Sequence, residues 1–277
     1  MAWAYSERVT QYLHTAIRAA KAAALIHQTN LGSELGIDTK SSETDLVTRV
    51  DQEAEAAIRR IISRSYPDHV VLGEEQGQST GGASHRWIVD PLDGTLNYAH
   101  GFPFYCVSIA LEIDGVVQVG VVLDSVRGEL FTAVRGGGSY CNGAPINVTR
   151  ETVLRKAMLA TGFAYDEAAV LVNLEIFKRI MPKARAVRRP GAAALDLCYV
   201  ACGRLDGFWE LKLNSWDVAA GALIITEAGG RVTGGAGEAY ELNNPVLVAS
   251  NGPLHEALLQ TLQLAQITVL NYRAEPC

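Results

Sequence analysis

The side chains best suited to chemistry in this sequence are acids. Glu74 and Glu75 follow the apolar run Val70-Val71-Leu72 and the turn residue Gly73. Asp90 and Asp93 share the stretch Asp-Pro-Leu-Asp-Gly-Thr (90–95), and Asp217 ends Asn-Ser-Trp-Asp (214–217) ahead of an apolar helix. Hard divalent cations take oxygen ligands, and magnesium keeps several waters beside only a few carboxylates. Acids gathered in one partly buried place repel each other, so a cation is the natural counter-charge. Pro91 helps fix the loop geometry, which makes the Leu92 carbonyl a candidate further ligand. The Gly94 and Thr95 amides open a helical turn that could cradle a phosphate. Taken singly, each acid also reads as a helix cap or turn former, a frequent use of Asp and Glu. The Asp-x-x-Asp-Gly-Thr stretch resists that reading, because it ends one apolar strand and precedes a helical turn.

A rival motif sits beside Glu74. Gly77-Gln78-Ser79-Thr80-Gly81 fits the Gly-x-Ser-x-Gly of serine hydrolases. A nucleophile elbow needs its serine on a turn from strand directly into helix. Here no strand immediately precedes Ser79 and no helix follows, so the segment reads as a flexible surface loop and its importance lies in the glutamates. The histidines (His14, His27, His69, His85, His100, His255) show no metal-ligand spacing and read as surface or capping residues. Arg188 and Arg189 read equally as anion contacts or as solvated charges, and Trp216 as packing.

Alternating elements must position these groups. Apolar residues at helical spacing predict an amphipathic helix over 6–27, followed by a polar, exposed loop over 30–42. Asp51 opens a second helix that Pro67-Asp68 ends, and 70–72 and 87–89 read as buried strands. Residues 107–141 alternate, with turns at Asp114-Gly115, Arg127-Gly128 and Asn142-Gly143, the pattern of an antiparallel meander. Beyond Thr149, strand-like runs (158–161, 186–188, 208–211, 246–249) alternate with helical ones (168–181, 192–202, 218–228, 253–264), the third capped by Gly229-Gly230. The predicted fold class is therefore mixed α+β and α/β. An N-terminal half (1–149) with an antiparallel meander sheet and most of the acids meets a C-terminal mixed α/β half (150–277) with Glu210 and Asp217. The two are packed as one globular unit.

Composition narrows the function classes. At 277 residues, 48% hydrophobic and 19% charged, the chain has room for a sizeable core. A net charge of −6 argues against a nucleic-acid partner, while a metal ion could still supply local charge for a small anionic substrate. Cys106, Cys141, Cys198, Cys202 and Cys277 are odd in number and form no Cys-x-x-Cys, which suggests reduced, buried thiols in a cytoplasmic protein. No apolar run approaches the roughly 20 residues of a membrane span, and the N-terminus does not read as a signal peptide. The sequon at Asn147 is accordingly read as silent.

Several motifs in register carry a resemblance. WIVDPLDGTLNY (87–98), NSWDVAAGALIITEAGG (214–230), TDLVTRVD (44–51), GEE (73–75) and GAAA (191–194) together resemble the inositol monophosphatase family of metal-dependent, lithium-sensitive phosphatases. The likeness spans nearly the whole chain. It implies a layered αβαβα sandwich of the sugar-phosphatase type and two to three Mg²⁺ ions per site. Glu74, Asp90 and the Leu92 carbonyl would hold one ion, and Asp90, Asp93 and Asp217 a second. Glu74 with water would hold a weaker third. By the same resemblance, Thr95 with Asp51 orients or activates the attacking water, the Gly94 and Thr95 amides hold phosphate, and Lys40 lies near the metals. Glu210 and the backbone of Gly191, Ala192 and Ala193 meet the hydroxyls of an inositol ring, with Asp93 and Asp217 also on the substrate side.

The resemblance further implies Mg-dependent hydrolysis of a phosphate monoester, foremost inositol-1-phosphate, by water without a covalent intermediate, in a homodimer. Fructose 1,6-bisphosphate and histidinol phosphate remain alternatives, although Glu210 would repel a second phosphate. So does a non-catalytic, partner-binding protein on the same fold. Leu96, Tyr98 and Pro190 depart from the family pattern, beside the expected ligands and not among them.

Overall fold

The computed structural model describes residues 7–33, 36, 38–39 and 46–262. The N-terminal part runs α1 (Glu7–Asn30), β1 (Asp38–Thr39), β2 (Leu46–Val47), α2 (Arg49–Ser65), β3 (His69–Gly73), β4 (Gly77–Gln78), β5 (Gly82–Asp93) and α3 (Thr95–Ala99). The meander follows as β6 (Cys106–Ile113), β7 (Val116–Asp124), β8 (Leu130–Val134), β9 (Ser139–Cys141) and β10 (Ala144–Ile146). After a short 3₁₀ turn come β11 (Met158–Thr161), α4 (Glu167–Ile180), β12 (Ala186–Arg188), α5 (Ala193–Ala201) and β13 (Gly207–Leu211). The described chain ends with α6 (Ser215–Glu227), β14 (Arg231–Thr233), β15 (Val246–Ser250) and α7 (His255–Leu262).

Alternation along the strands sorts the core into layers. On β6, Val107, Ile109 and Leu111 pack with α1 and α2, while Cys106 and Ala110 face α5 and α6. On β13, Phe208 faces α5 and α6, while Trp209 and Leu211 face α4 and α7. The order is thus helix pair, eight-stranded sheet (β10-β9-β8-β7-β6-β5-β3-β4), helix pair, five-stranded sheet (β12-β11-β13-β15-β14), helix pair, the expected αβαβα sandwich. Both sheets are mixed: β3 and β5 run parallel within an otherwise antiparallel sheet. The central helices pack closely. A Cβ on Gly120 of β7 would lie 2.8 Å from the Ala220 carbonyl oxygen of α6, so the glycine is what lets this helix lie on the sheet.

Several expectations shift. Helix α2 begins at Arg49 with Thr48 as its cap, so Asp51 is the third helical residue and not the first. The 70–72 and 87–89 runs are parts of longer strands, and β5 spans 12 residues. Asp38–Thr39 pairs with Leu46–Val47 where a loop was expected, and Lys40 lies outside the described residues. Asp114-Gly115 and Asn142-Gly143 turn with positive φ at both residues, as the hairpin signal requires. The segment around Ser79 is not a loose loop. Gly77–Gln78 pairs with β3, and the Val71 N–H donates to Ser79 Oγ at 2.9 Å. His27 and His255 are fully buried, against the surface reading, because each finds two hydrogen-bond partners inside. The four described cysteines are free; Cys106 and Cys198 are buried, and Cys277 lies outside the described residues.

Candidate active site

At one end of the sandwich the strand ends and helix starts surround a cleft of about 190 Å³. Glu74, Asp90, Leu92, Asp93, Gly94, Thr95, Gly191, Ala192, Ala193, Glu210 and Asp217 all line it, while Asp51 and Glu75 do not and Lys40 lies outside the described residues. Asp51 stands directly behind, with its Oδ1 2.8 Å from the Thr95 hydroxyl.

Each acid is delivered by a local irregularity. The β5–β6 register shifts between Asp90, opposite Ser108, and Asp93, opposite Cys106, so one extra residue bulges from β5. A bulge re-aims side chains and tolerates a proline that cannot donate to the ladder, and Pro91 sits inside it. The Leu92 N–H donates to Asp90 Oδ1 at 2.9 Å, and the Ala194 N–H at the start of α5 donates to Asp93 Oδ2 at 2.7 Å. Gly94 turns the chain into α3 at φ 91°, where a Cβ would meet the Phe104 carbonyl oxygen at 3.0 Å. Asp217 is the third residue of α6 and accepts the Asn214 N–H at 2.7 Å. Asp51 holds the same station on α2, accepting the Thr48 N–H at 2.8 Å and the Thr48 hydroxyl at 2.6 Å. Both aspartates therefore cap their helices while Asp217 lines the cleft and Asp51 stands behind it.

The electrostatics are those of crowded, dehydrated carboxylates. Burial pushes Asp90 well above the usual carboxylate range, and Glu74, Asp93 and Asp217 add repulsion. Burial raises Asp93 to about 7 although the Ala194 N–H pulls it back. Asp217 rises for the same first cause, with Glu74 and Asp93 next. On the facing wall, burial and Asp93 carry Glu210 to about 8, with Arg189 opposing. Among the described residues no ion pair engages Asp90, Asp93 or Asp217. The donors are carboxylate and carbonyl oxygens, the set a hard divalent cation takes, and such an ion would offset both the burial and the mutual repulsion that raise these groups. The described acids share one cleft, yet no three of His, Cys, Asp or Glu among them are drawn tightly round a single point.

Some contributors gave no motif signal. His27 of α1 reaches the bulge: its Nε2 donates to the Pro91 carbonyl at 3.0 Å and its Nδ1 accepts from Ser125 at 2.8 Å, the tautomer following from the carbonyl's acceptor-only character. Burial lowers its pKa to about 4, so it stays neutral. Asn97 Nδ2 donates to the Phe104 carbonyl (2.7 Å) and the Pro190 carbonyl (2.9 Å), tying the loop that carries Gly191, between β12 and α5, to α3. Arg189, Lys212, Phe163 and Tyr165 line the mouth, Arg188 does not, and Trp216 packs against the central core as expected.

Comparison with known proteins bears directly on this cleft. The model of the inositol monophosphatase family matches residues 8–266. The chain belongs to that family. It is 45% identical over 229 residues to an inositol-1-monophosphatase of Synechocystis, covering 82% of this chain and 79% of the relative. It is 41% identical to Nus factor SuhB of Pseudomonas aeruginosa, covering 91% and 95%. The solved structure of an extragenic suppressor protein suhB from Bartonella henselae superposes with a TM-score of 0.88 at 37% identity, covering 91% of this chain and 98% of that one. The family member described here is thus a phosphoric monoester hydrolase, of a metal-dependent phosphatase family. Among the described residues no helix is long and apolar enough to cross a membrane.

Proposed function

We propose that this chain hydrolyses inositol-1-phosphate to inositol and phosphate, with magnesium as its metal and water as the nucleophile. Glu74, Asp90 and the Leu92 carbonyl would hold one ion, and Asp90, Asp93 and Asp217 a second. Glu74 and water would hold a third. When bound, such ions neutralise phosphate charge, lower the pKa of water and stabilise the leaving alkoxide.

The chain's own groups supply position. Thr95 has one hydroxyl hydrogen and two acceptors in reach, Asp51 Oδ1 at 2.8 Å and the Leu92 carbonyl at 3.0 Å. With that hydrogen held on Asp51, the Thr95 lone pairs face the cleft and can accept from a water, aiming its oxygen at phosphorus. Glu74 orders further water beside them. The Gly94 and Thr95 amides face the phosphate oxygens, and Asp93 and Asp217 border the ester end of the substrate. Glu210 and the 191–193 backbone receive the ring hydroxyls.

Glu210 carries the choice of a cyclitol. It is 9% exposed, faces the acids across the cleft, and is held near 8, so it can meet hydroxyls as acid or as carboxylate. The inositol-1-monophosphatase relative supports the same substrate. Phosphate release with magnesium should be measured on inositol-1-phosphate, fructose 1,6-bisphosphate, histidinol phosphate and 3′-phosphoadenosine 5′-phosphate, with Asp90→Asn as control. Fastest release from inositol-1-phosphate, lost in the variant, supports the proposal. Faster release from another ester would replace the substrate and keep the chemistry.

A second reading comes from the relative named Nus factor SuhB. Such a chain would also act as a partner-binding factor of transcription. A pull-down with magnesium-free protein tests this, since binding should survive the loss of activity. We further propose a cytoplasmic homodimer, which light scattering would check.

A further inference from the structure

Glu55 lies one turn beyond Asp51 on α2 and is a fully buried acid beside the cleft. Its oxygens point to backbone. Oε2 accepts the Glu75 N–H at 2.7 Å, while Oε1 accepts the Gln76 N–H at 3.1 Å and Arg59 Nε at 2.7 Å. The carboxylate rests on Gly73, where a Cβ would lie 2.5–2.6 Å from its atoms. No other residue fits at position 73 without moving Glu55. Arg59, with only 15% of its side chain exposed, donates from Nη1 to the Val71 carbonyl at 3.1 Å and from Nη2 to the Gly77 carbonyl. One ion pair on α2 therefore grips both strands of the β3–β4 hairpin and the peptides between them.

Glu74 sits inside that grip, its own N–H donating to the Val89 carbonyl at 3.3 Å. Four residues earlier the same helix carries Asp51 to Thr95. Helix α2 thus spans the distance between the Glu74 turn and the Asp51–Thr95 pair, and a helix changes length very little.

We propose that Glu55, held by Arg59, is a positioning residue that sets Glu74 for the metal. This rests on the proposed reading of Glu74 as a ligand. Both Glu55 oxygens already carry hydrogen bonds and its charge is matched by Arg59, so it orients the turn and is not itself a ligand. Glu55→Gln keeps the shape but turns one acceptor into an NH₂ donor, which must face either the 75–76 amides or Arg59. The turn then shifts while the fold's apolar layers stay untouched.

The test is magnesium binding to the substrate-free protein by calorimetry, for the parent, Glu55→Gln, Arg59→Met and Glu74→Gln, with metal-free melting alongside. The expected result is about tenfold weaker magnesium affinity in Glu55→Gln and about threefold in Arg59→Met. Substrate KM at saturating magnesium should be unchanged, and kcat should recover as magnesium is raised. A lowered melting temperature with unchanged magnesium affinity would mean a purely structural Glu55 and overturn the proposal. If Glu55→Gln does not fold, the affinity of Arg59→Met decides by the same criterion. Weakened binding in Glu74→Gln alone sinks the positioning role and leaves the ligand reading standing. Unchanged binding in Glu74→Gln sinks both.

Discussion

On one wall of the cleft the acids are locked to backbone. Asp90 accepts from Leu92, Asp93 from Ala194, Asp217 from Asn214 and, directly behind them, Asp51 from Thr48. On the facing wall, among the described residues, the Glu210 carboxylate takes no hydrogen bond, and its pKa is set by burial, Asp93 and Arg189. Its neighbour Lys212 sits at φ 58° on the exposed mouth, paired with Asp166 at 2.9 Å. The first wall is preorganised by bonds that a substrate does not alter, whereas the second is shaped by desolvation and adjustable side chains. On the proposed function, phosphate chemistry common to many esters belongs on the first, and choice among esters on the second.

The contrast is broken most severely on the acid wall. Asp90→Asn should lower kcat on every phosphate ester by about a thousandfold, since several kcal/mol of charge stabilisation would go with the carboxylate. A steady-state assay on two unrelated esters checks that the loss is uniform. Gly162→Ala strikes the other wall, because its Cβ would overlap the Glu210 carboxylate. It should raise KM for inositol-1-phosphate by roughly 10- to 100-fold while sparing a small aryl phosphate. Equal losses on both esters would erase the distinction between the walls.

The pH response sharpens it. Asp93 and Glu210 titrate near 7 and near 8 in the folded state, both raised, so the native protein holds protons that the unfolded chain has released. Stability is then lost as pH rises through these values. Between pH 6.5 and 8.5 these two groups should cost metal-free protein about 2–3 kcal/mol. About 1 kcal/mol offsets this, because His27 and His255, lowered to about 4 when folded, still release protons from the unfolded chain near 6.5. Magnesium should flatten this slope if it replaces the protons, and chemical denaturation at fixed pH measures both. Smallest is Glu210→Gln, which should shift the preference for inositol-1-phosphate over other esters by about tenfold and leave kcat on aryl phosphate unchanged. An unchanged ranking would remove Glu210 from the specificity argument.

The layers and the acid wall were largely legible beforehand. Strand alternation and helical spacing need only neighbours in sequence, and Asp-Pro-Leu-Asp-Gly-Thr carries its bulge, proline and turn in six consecutive residues (90–95). Boundaries were less legible. The Thr48 cap moved the start of α2 two residues ahead of Asp51, and the two-residue pairings at β1–β2 and β3–β4 depend on partners that a local pattern cannot show. His27 and Glu55 were missed for a related reason. A histidine in an alanine-rich helix and a glutamate in a charged one look like surface residues until the sheet arrives above them.

By itself, the sequence determined which side chains could do this chemistry and the family to which they belong, because oxygen donors, turn glycines and caps are local properties. Only tertiary structure decided that Asp90, Asp217 and Glu210, carried on three elements from both sheets' surroundings, face one cleft. The same packing removed water from them and raised their pKa values. It also turned Glu55 from a plausible surface acid into the clamp of the Glu74 hairpin. Burial and mutual repulsion are properties of assembled distances, and no single stretch of chain contains them.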